Sequence, residues 1–195
     1  MQNNPNILPF DGEVLLYSDF LSKQESDSCF KSLLHEVDWH QEPIKIFGKE
    51  VMQPRLTAWY GDTDKPYSYS GITMKHHDWI EPLMAIKEKA ETISKLKFTG
   101  ALLNLYRDGK DSMGWHRDNE KMLGPDPVIG SVSLGATRTF QLRNYTDKKV
   151  VRSIDLTHGS FLLMLGRTQE CWEHQIPKTA KSTGMRINIT FRIIL

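Results

Sequence analysis

Almost everything after Gly100 divides into short runs with the two-residue periodicity of strands, and this pattern limits what the chain can fold into. The runs are Ala101 to Arg107, Val128 to Leu134, Thr139 to Leu142, Val150 to Leu156, Ser160 to Leu165 and Arg186 to Leu195. Turn signals such as Asp108-Gly109, Gly124-Pro125 and His158-Gly159 separate them. Ahead of them lie two helical patterns. Ser22 to Val37 opens with Ser22-Lys23-Gln24-Glu25, a capping box, and places Cys29, Phe30, Leu33, Leu34 and Val37 on one stripe. The second runs from about Asp78 to Leu96, with Asp78 as the expected cap, Glu81 three residues on, and Ile80, Leu83, Ala90 and Ile93 near helical spacing. Short strands behind two helices predict an α+β, mainly β chain, an antiparallel sandwich or jelly roll with the two N-terminal helices covering one outer face.

With 195 residues and 39% hydrophobic content the chain has the size of one domain, 1–195, with a full core and no room for a second. The longest apolar run, Phe161-Leu162-Leu163-Met164-Leu165, is far below the ~20 residues of a membrane helix. The opening MQNNPNILPF has neither the charged nor the apolar region of a secretory signal, and Cys29 and Cys171 are the only cysteines. The expectation is a protein that is not secreted, with free thiols that pack rather than react. A formal net charge of +1 neither supports nor excludes nucleic acid as a partner, because phosphate contacts need a local basic surface rather than a particular total.

His116-Arg117-Asp118 is an H-x-D, and on a strand positions i and i+2 share a face, so both side chains can bind one metal. With seven His and 24 acidic residues, chance gives on the order of one H-x-D or H-x-E, and the chain has three. His76-His77-Asp78 sits at a helix start and His40-x-Glu42 in a connector before Pro43, and both read as solvated surface. His116-x-Asp118 differs in having a downstream His174 and a closing strand with a polar face, Arg186, Asn188, Thr190 and Arg192, opposite Ile187, Ile189 and Phe191. Taken alone, that strand could be half-exposed with its polar side in water. A second strand of the same character, in which Asn104 and Tyr106 share a face, argues for a lined pocket instead. Arg186 and Arg192 lie about 20 Å apart along a strand at ~3.3 Å per residue, and leaning inward they could bracket a small dicarboxylate. Two histidines and one carboxylate with open positions point to non-haem Fe(II) oxygenase chemistry, whereas structural zinc asks for four ligands.

Asn104-Leu105-Tyr106, Asp108-Gly109, His116-Arg117-Asp118, His174 and Arg186-Ile187-Asn188-Ile189-Thr190-Phe191-Arg192 together resemble the AlkB family of Fe(II)- and 2-oxoglutarate-dependent dioxygenases, in this order and at similar spacing. The similarity covers roughly 47–195 and looks nearest to the double-stranded-DNA-repairing AlkB homologue two branch. It implies a double-stranded β-helix core at about 98–195 behind a nucleotide-recognition part at about 40–75. It implies His116, Asp118 and His174 as iron ligands, and Asn104, Tyr106, Arg186, Asn188, Thr190 and Arg192 around 2-oxoglutarate. O2 would be the second cosubstrate.

For substrate contacts the resemblance implies Pro54-Arg55 against the lesion strand and Tyr67 to Gly71 as a lid, with Tyr69 stacking on a flipped base and Tyr67 and Ser70 beside it. Asn119 and Glu120 would face the base, and Asn119 departs from the branch, which carries an acid there. Ile46-Phe47-Gly48, an apolar tip between Lys45 and Lys49, resembles a finger that enters duplex DNA, although Phe47 could equally fold back on the core. The implied activity is oxidative demethylation of N-alkylated bases such as 1-methyladenine and 3-methylcytosine, releasing formaldehyde, succinate and CO2. A base inside a duplex must be extruded to reach a buried metal. The implied setting is a monomer in the cytoplasm or nucleus. Two rivals stay open: an oxygenase of this kind acting on RNA, a protein side chain or a small molecule, and an idle module that binds damaged DNA without consuming 2-oxoglutarate.

Overall fold

The computed structural model describes residues 4–46, 49–62, 67–69 and 72–195, with main chain alone at 45, 46, 49, 67–69, 72 and 73. In chain order the elements are β1 (Glu13–Tyr17), α1 (Lys23–Glu36), β2 (Pro43–Ile46), β3 (Lys49–Met52), β4 (Leu56–Gly61), β5 (Tyr67–Tyr69), β6 (Ile72–Met74), β7 (His76–His77), α2 (Glu81–Ser94), β8 (Gly100–Tyr106), β9 (Met113–His116), β10 (Ile129–Gly135), β11 (Arg138–Asn144), β12 (Val151–Leu156), β13 (Ser160–Leu165), α3 (Thr168–Cys171), β14 (Trp172–Ile176) and β15 (Arg186–Arg192). A seven-stranded sheet, β1-β13-β10-β15-β8-β4-β7, faces a four-stranded one, β12-β11-β14-β9, and β2-β3 and β5-β6 form two small hairpins. This is the jelly roll that the strand spacing predicts.

Both faces of the large sheet are buried, by different means. Outward, Ile187, Ile189 and Phe191 of β15 join Val132, Leu134, Leu103 and Leu105 in a core closed by Leu33 of α1 and by Leu83, Ile86 and Ala90 of α2. Inward, Ile129, Leu142, Leu162, Met164 and Trp172 form a second core between the two sheets. Fully burying an aliphatic or aromatic side chain of this size is worth about 1.5–3 kcal/mol, so two cores of this extent give the fold its stability.

α1 begins as its sequence predicts. Ser22 accepts from the Glu25 N–H while the Glu25 carboxylate accepts from the Ser22 N–H at 2.7 Å, a reciprocal cap worth about 1 kcal/mol. The start of α2 differs from expectation: the cap position is Ile80, with no side-chain bond, and Pro82 sits in the first turn. Proline favours a helix start because its missing N–H is one that no helical carbonyl would meet. Asp78 instead projects wholly into solvent and approaches His76 Nε2 at 3.5 Å.

His76 and His77 are also not solvated surface. They form β7 beside β4, with side chains only 17% and 18% exposed, and His77 stacks on Tyr60 at a centroid distance of 5.2 Å. His40 does meet solvent, but it also bridges to Thr57 through the main chain and reaches Asp38 at 3.0 Å. The closing strand stops at Arg192 rather than Leu195, and the one-turn helix α3 and the strands β9 and β14 add to the elements expected. Among the described residues no helix is long and apolar enough to cross a membrane.

Candidate metal and dicarboxylate site

The site grows out of three neighbouring strands of the large sheet. β15 is flanked on both sides, and residues opposite each other in a ladder point to the same face. The registers therefore set up three polar rows: Tyr106–Arg186–Gly135, Asn104–Asn188–Ser133 and Leu102–Thr190–Ser131. These rows face inward, toward the small sheet, and Tyr106, Arg186, Asn104, Asn188, Thr190 and Ser131 line a cavity whose other side is formed by His116, Asp118, Phe140 and His174.

The rows are bonded across the strands. Asn188 Nδ2 donates to Ser131 Oγ at 2.8 Å and to the Val132 carbonyl at 3.1 Å, and Thr190 Oγ1 donates to Asn188 Oδ1 at 3.2 Å. Arg186 is 1% exposed, lies 5.2 Å over the Tyr106 ring and gives one bond, from Nη2 to Ser133 Oγ at 2.8 Å. Its Nε and Nη1 are buried with no hydrogen-bond partner in the protein. Burial draws the guanidinium pKa down to about 10, which leaves it cationic at neutral pH. A buried cation with two unused donors is costly unless an anion completes it, and a carboxylate fits two parallel N–H groups.

The other half of the cavity belongs to the small sheet. β9 and β14 pair so that His116 and His174 stand opposite each other, their ring centroids 4.2 Å apart. The pairing slips between His174 and Ile176, a bulge of the kind that re-aims side chains beside functional sites. β9 ends at His116, so Asp118 reaches the cavity from the loop beyond and not from a shared strand face as the H-x-D pattern predicts. One ligand atom from each of His116, Asp118 and His174 lies within 4.8 Å of the others.

His116 Nδ1 is 2.8 Å from the Gly114 carbonyl, which can only accept, so Nδ1 carries the proton and Nε2 presents its lone pair. Burial lowers the His116 pKa to about 4 and holds His174 well below the usual value, so both rings are neutral, as a cation requires. Burial and the nearby Glu120 push the Asp118 carboxyl up to about 8, and Arg192 Nη2 donates to its Oδ1 at 2.7 Å. The donor set fits a divalent metal with open positions.

Several expected contacts fall elsewhere. Arg192 gives Nη2 to Asp118 at the metal side, so the two arginines meet the cavity differently, although both line it. Arg55 is 4% exposed and turned inward, with Nε donating to Asn104 Oδ1 at 2.7 Å and Nη1 to the Ser112 carbonyl at 3.3 Å. A guanidinium held in this way supports Asn104 from behind rather than meeting a strand at the surface. Asn119 is exposed, and Glu120 is partly buried with its pKa raised by that burial. Ile46 closes β2 and Tyr67 and Tyr69 bound β5, each described by its main chain, while Phe47, Gly48 and Ser70 lie outside the described residues.

Three useful residues were not anticipated. Ser131 and Ser133 alternate with Val132 and Leu134 on β10, a signal as legible as that of β15. Arg138, 3% exposed, gives bonds to the carbonyls of Asp108 (3.2 Å), Asp111 (3.0 Å) and Pro177 (2.7 Å), tying together the loops that flank Tyr106. Those loops also touch at Gly109, where a Cβ would stand 2.5 Å from the Thr179 carbonyl.

Comparison with known proteins places this geometry in context. Residues 13–192 match the model of the 2OG-Fe(II) oxygenase superfamily. The chain is 41% identical over 191 residues to the alpha-ketoglutarate-dependent dioxygenase alkB homolog 3 of Mus musculus, covering 93% of this chain and 66% of that protein. It is 36% identical over 190 residues to the DNA oxidative demethylase ALKBH2 of Homo sapiens, covering 92% and 72%. The chain thus spans just under two thirds of the alkB homolog 3 protein. The solved structure of OsALKBH1 shares the fold, with a TM-score of 0.65 at 19% identity over 92% of this chain and 97% of that one.

Proposed function

The chain belongs to the 2OG-Fe(II) oxygenase superfamily, in the company of its AlkB members, and from this we propose that it is an oxidative demethylase of N-alkylated bases in DNA. The observation that carries the reading is the shared cavity: His116, Asp118 and His174 converge at one side of it and Arg186 offers two unused donors at the other. Fe(II) would be held by the triad, and 2-oxoglutarate with O2 supplies the oxidising power when bound.

The protein's own residues do the rest. Arg186 would hold a carboxylate of the dicarboxylate, with Tyr106 and Asn104 in the same rows beside it. Phe140, 5.2 Å from the His174 ring, with Leu102 and Met164 keeps one wall dry, which strengthens every charge interaction inside. Arg192 holds one oxygen of Asp118 and so aims its carboxyl group. The cavity is recessed, so a base must leave its stack to reach it, and a base that cannot pair leaves more cheaply. Outside the cavity, Tyr145 is exposed between the Arg117 guanidinium at 3.8 Å and the Lys148 ammonium at 4.3 Å, an aromatic and cationic surface suited to a nucleic-acid strand.

The finer part of the proposal is 1-methyladenine and 3-methylcytosine as substrates, and duplex DNA as a form in which Phe47 acts as a wedge. The test is incubation of the protein with Fe(II), ascorbate, 2-oxoglutarate and oligonucleotides carrying each base, single-stranded and duplex, with mass spectrometry of the bases and assay of succinate. The expected result is the unmodified base plus one succinate per base repaired. Phe47→Ala should depress duplex repair while leaving single-strand repair nearly intact, and equal losses on both would remove the wedge. Succinate formed only with a peptide or small molecule would overturn the nucleic-acid reading, and none with any substrate would leave a binding module.

A further inference from the structure

We propose that Gln169 is a positioning residue for the metal centre, forming with Arg117 a reciprocal clamp between the two segments that deliver the ligands. The idea rests on the metal reading of His116, Asp118 and His174. The β9–β14 ladder ends at the His116–His174 pair, and Asp118 lies beyond it, where no strand partner meets its N–H. Gln169 takes over at that point. Its side chain, 0% exposed on α3, accepts the Asp118 N–H on Oε1 at 3.0 Å. Because a main-chain N–H can only donate, the amide must face it with its oxygen.

The other end of the amide has little to hold it there. Gln169 Nε2 donates to Met164 Sδ at 3.4 Å, and thioether sulfur is a weak acceptor. A buried amide with one good bond is a poor device for stability, since an apolar side chain of the same size would fill the space without the desolvation cost. What that one bond does is fix the main chain of a ligand residue. Arg117 returns the contact: its Nη1 donates to the Glu170 carbonyl at 2.9 Å. Residues 117 and 118 are thereby joined to 169 and 170, on the segment that runs directly into β14 and His174. The carboxylate of Asp118 is fixed separately, by Arg192. Main chain and carboxylate of one ligand are thus held by different side chains, which sets the distance between Asp118 and His174 before any metal arrives.

Gln169→Met keeps length and burial but removes the acceptor, and Arg117→Met removes the return bond from the less buried side. Each variant is compared with the unaltered protein in thermal unfolding without metal, and then titrated with Co(II) by calorimetry and by its visible d–d absorption. Gln169→Met is expected to weaken Co(II) binding about 10- to 100-fold and to alter the absorption band, and Arg117→Met to weaken it by less, roughly three- to tenfold. A role in packing alone would lower the melting temperature and leave both Co(II) readings unchanged, and that result in the folded Gln169→Met protein overturns the proposal. Should that variant not fold, Arg117→Met decides: unchanged Co(II) affinity there sinks the clamp. Equal Co(II) binding by the unaltered protein and by His174→Ala would instead show that the triad reading, and not the clamp, is at fault.

Discussion

β15 and β12 look alike as strings of residues, each mixing Arg, Ser or Thr and acidic or amide groups with branched apolar side chains, yet they have opposite fates. On β12 Val151, Arg152, Ser153 and Asp155 are exposed, because β12 is the edge of the small sheet and has a partner only in β11. On β15 every residue is buried, because β10 and β8 flank it and the small sheet closes over its polar face. Composition did not decide this; position in the sheet did. A polar row in water costs nothing, whereas a buried guanidinium persists only where something completes it. That difference turns an ambiguous alternation into a statement about function: the polar row of β15 is shaped for a ligand, and that of β12 is shaped for solvent.

The sharpest way to break the comparison is at the metal side of the β15 cavity. His116→Ala, Asp118→Ala or His174→Ala is expected to abolish turnover while the protein still folds, since each removes one of three protein ligands. Near-normal turnover in any of them, with metal loading measured, would mean that the polar row faces a different chemistry. Next in size is Arg186→Ala. It removes charge-assisted contacts worth about 1.5–3 kcal/mol, so KM for 2-oxoglutarate should rise roughly ten- to a hundredfold, with affinity for methylated oligonucleotide little changed. If steady-state kinetics showed an unchanged KM, the spare donors of Arg186 would have some other use.

A buried polar group whose bonds are all made inside the protein should behave differently, and Glu91 on α2 is one. Its carboxylate, 5% exposed, accepts from Lys87 at 2.9 Å, Lys97 at 2.6 Å and the Phe98 N–H at 3.0 Å. Burial pushes its pKa up, but these three bonds outweigh burial and hold it below the ordinary 4.5. A carboxylate with a depressed folded pKa contributes stability that is present above its unfolded pKa and is lost as pH falls through the folded one. Glu91→Gln should therefore cost about 1 kcal/mol at neutral pH, with the gap to the unaltered protein narrowing below pH about 4. Denaturant melts at several pH values would show this, and a gap independent of pH would remove the charge from the account. Turnover should not change.

The parts of the fold that alternate in sequence were legible: β8, β10 and β15, the α1 stripe and the Ser22–Glu25 box all form where the pattern predicts them. The site residues that project from these strands were legible for the same reason. What escaped was set by contacts to main chain. Gln169 meets the Asp118 N–H and Arg138 meets three carbonyls, and a main-chain group has no residue type that a pattern could match. Asp118 was assigned to a strand because H-x-D fits one, but the strand ends at His116 and the bulge and loop bring the carboxylate round. Arg55 was expected against the lesion strand from the resemblance alone, whereas here Asn104 and the Ser112 carbonyl hold it inside.

The smallest expected effect tests the other half of the comparison. Arg152 on β12 is exposed, and its one side-chain bond is a 3.0 Å contact to the carbonyl of the preceding residue, Val151. Nothing in the cavity depends on it, and threonine suits a half-exposed strand at least as well as arginine does. Arg152→Thr should therefore shift stability by no more than about 0.5 kcal/mol and leave KM for 2-oxoglutarate unchanged. Charged side chains on an outer strand discourage pairing with a second molecule, and Val151 beside Arg152 is an exposed apolar residue. The variant should accordingly show its effect at high protein concentration, as greater self-association in light scattering, rather than in kinetics or melting. A rise in KM comparable to that of Arg186→Ala would mean that β12 reaches the ligand after all, and that the contrast between the two strands is one of degree.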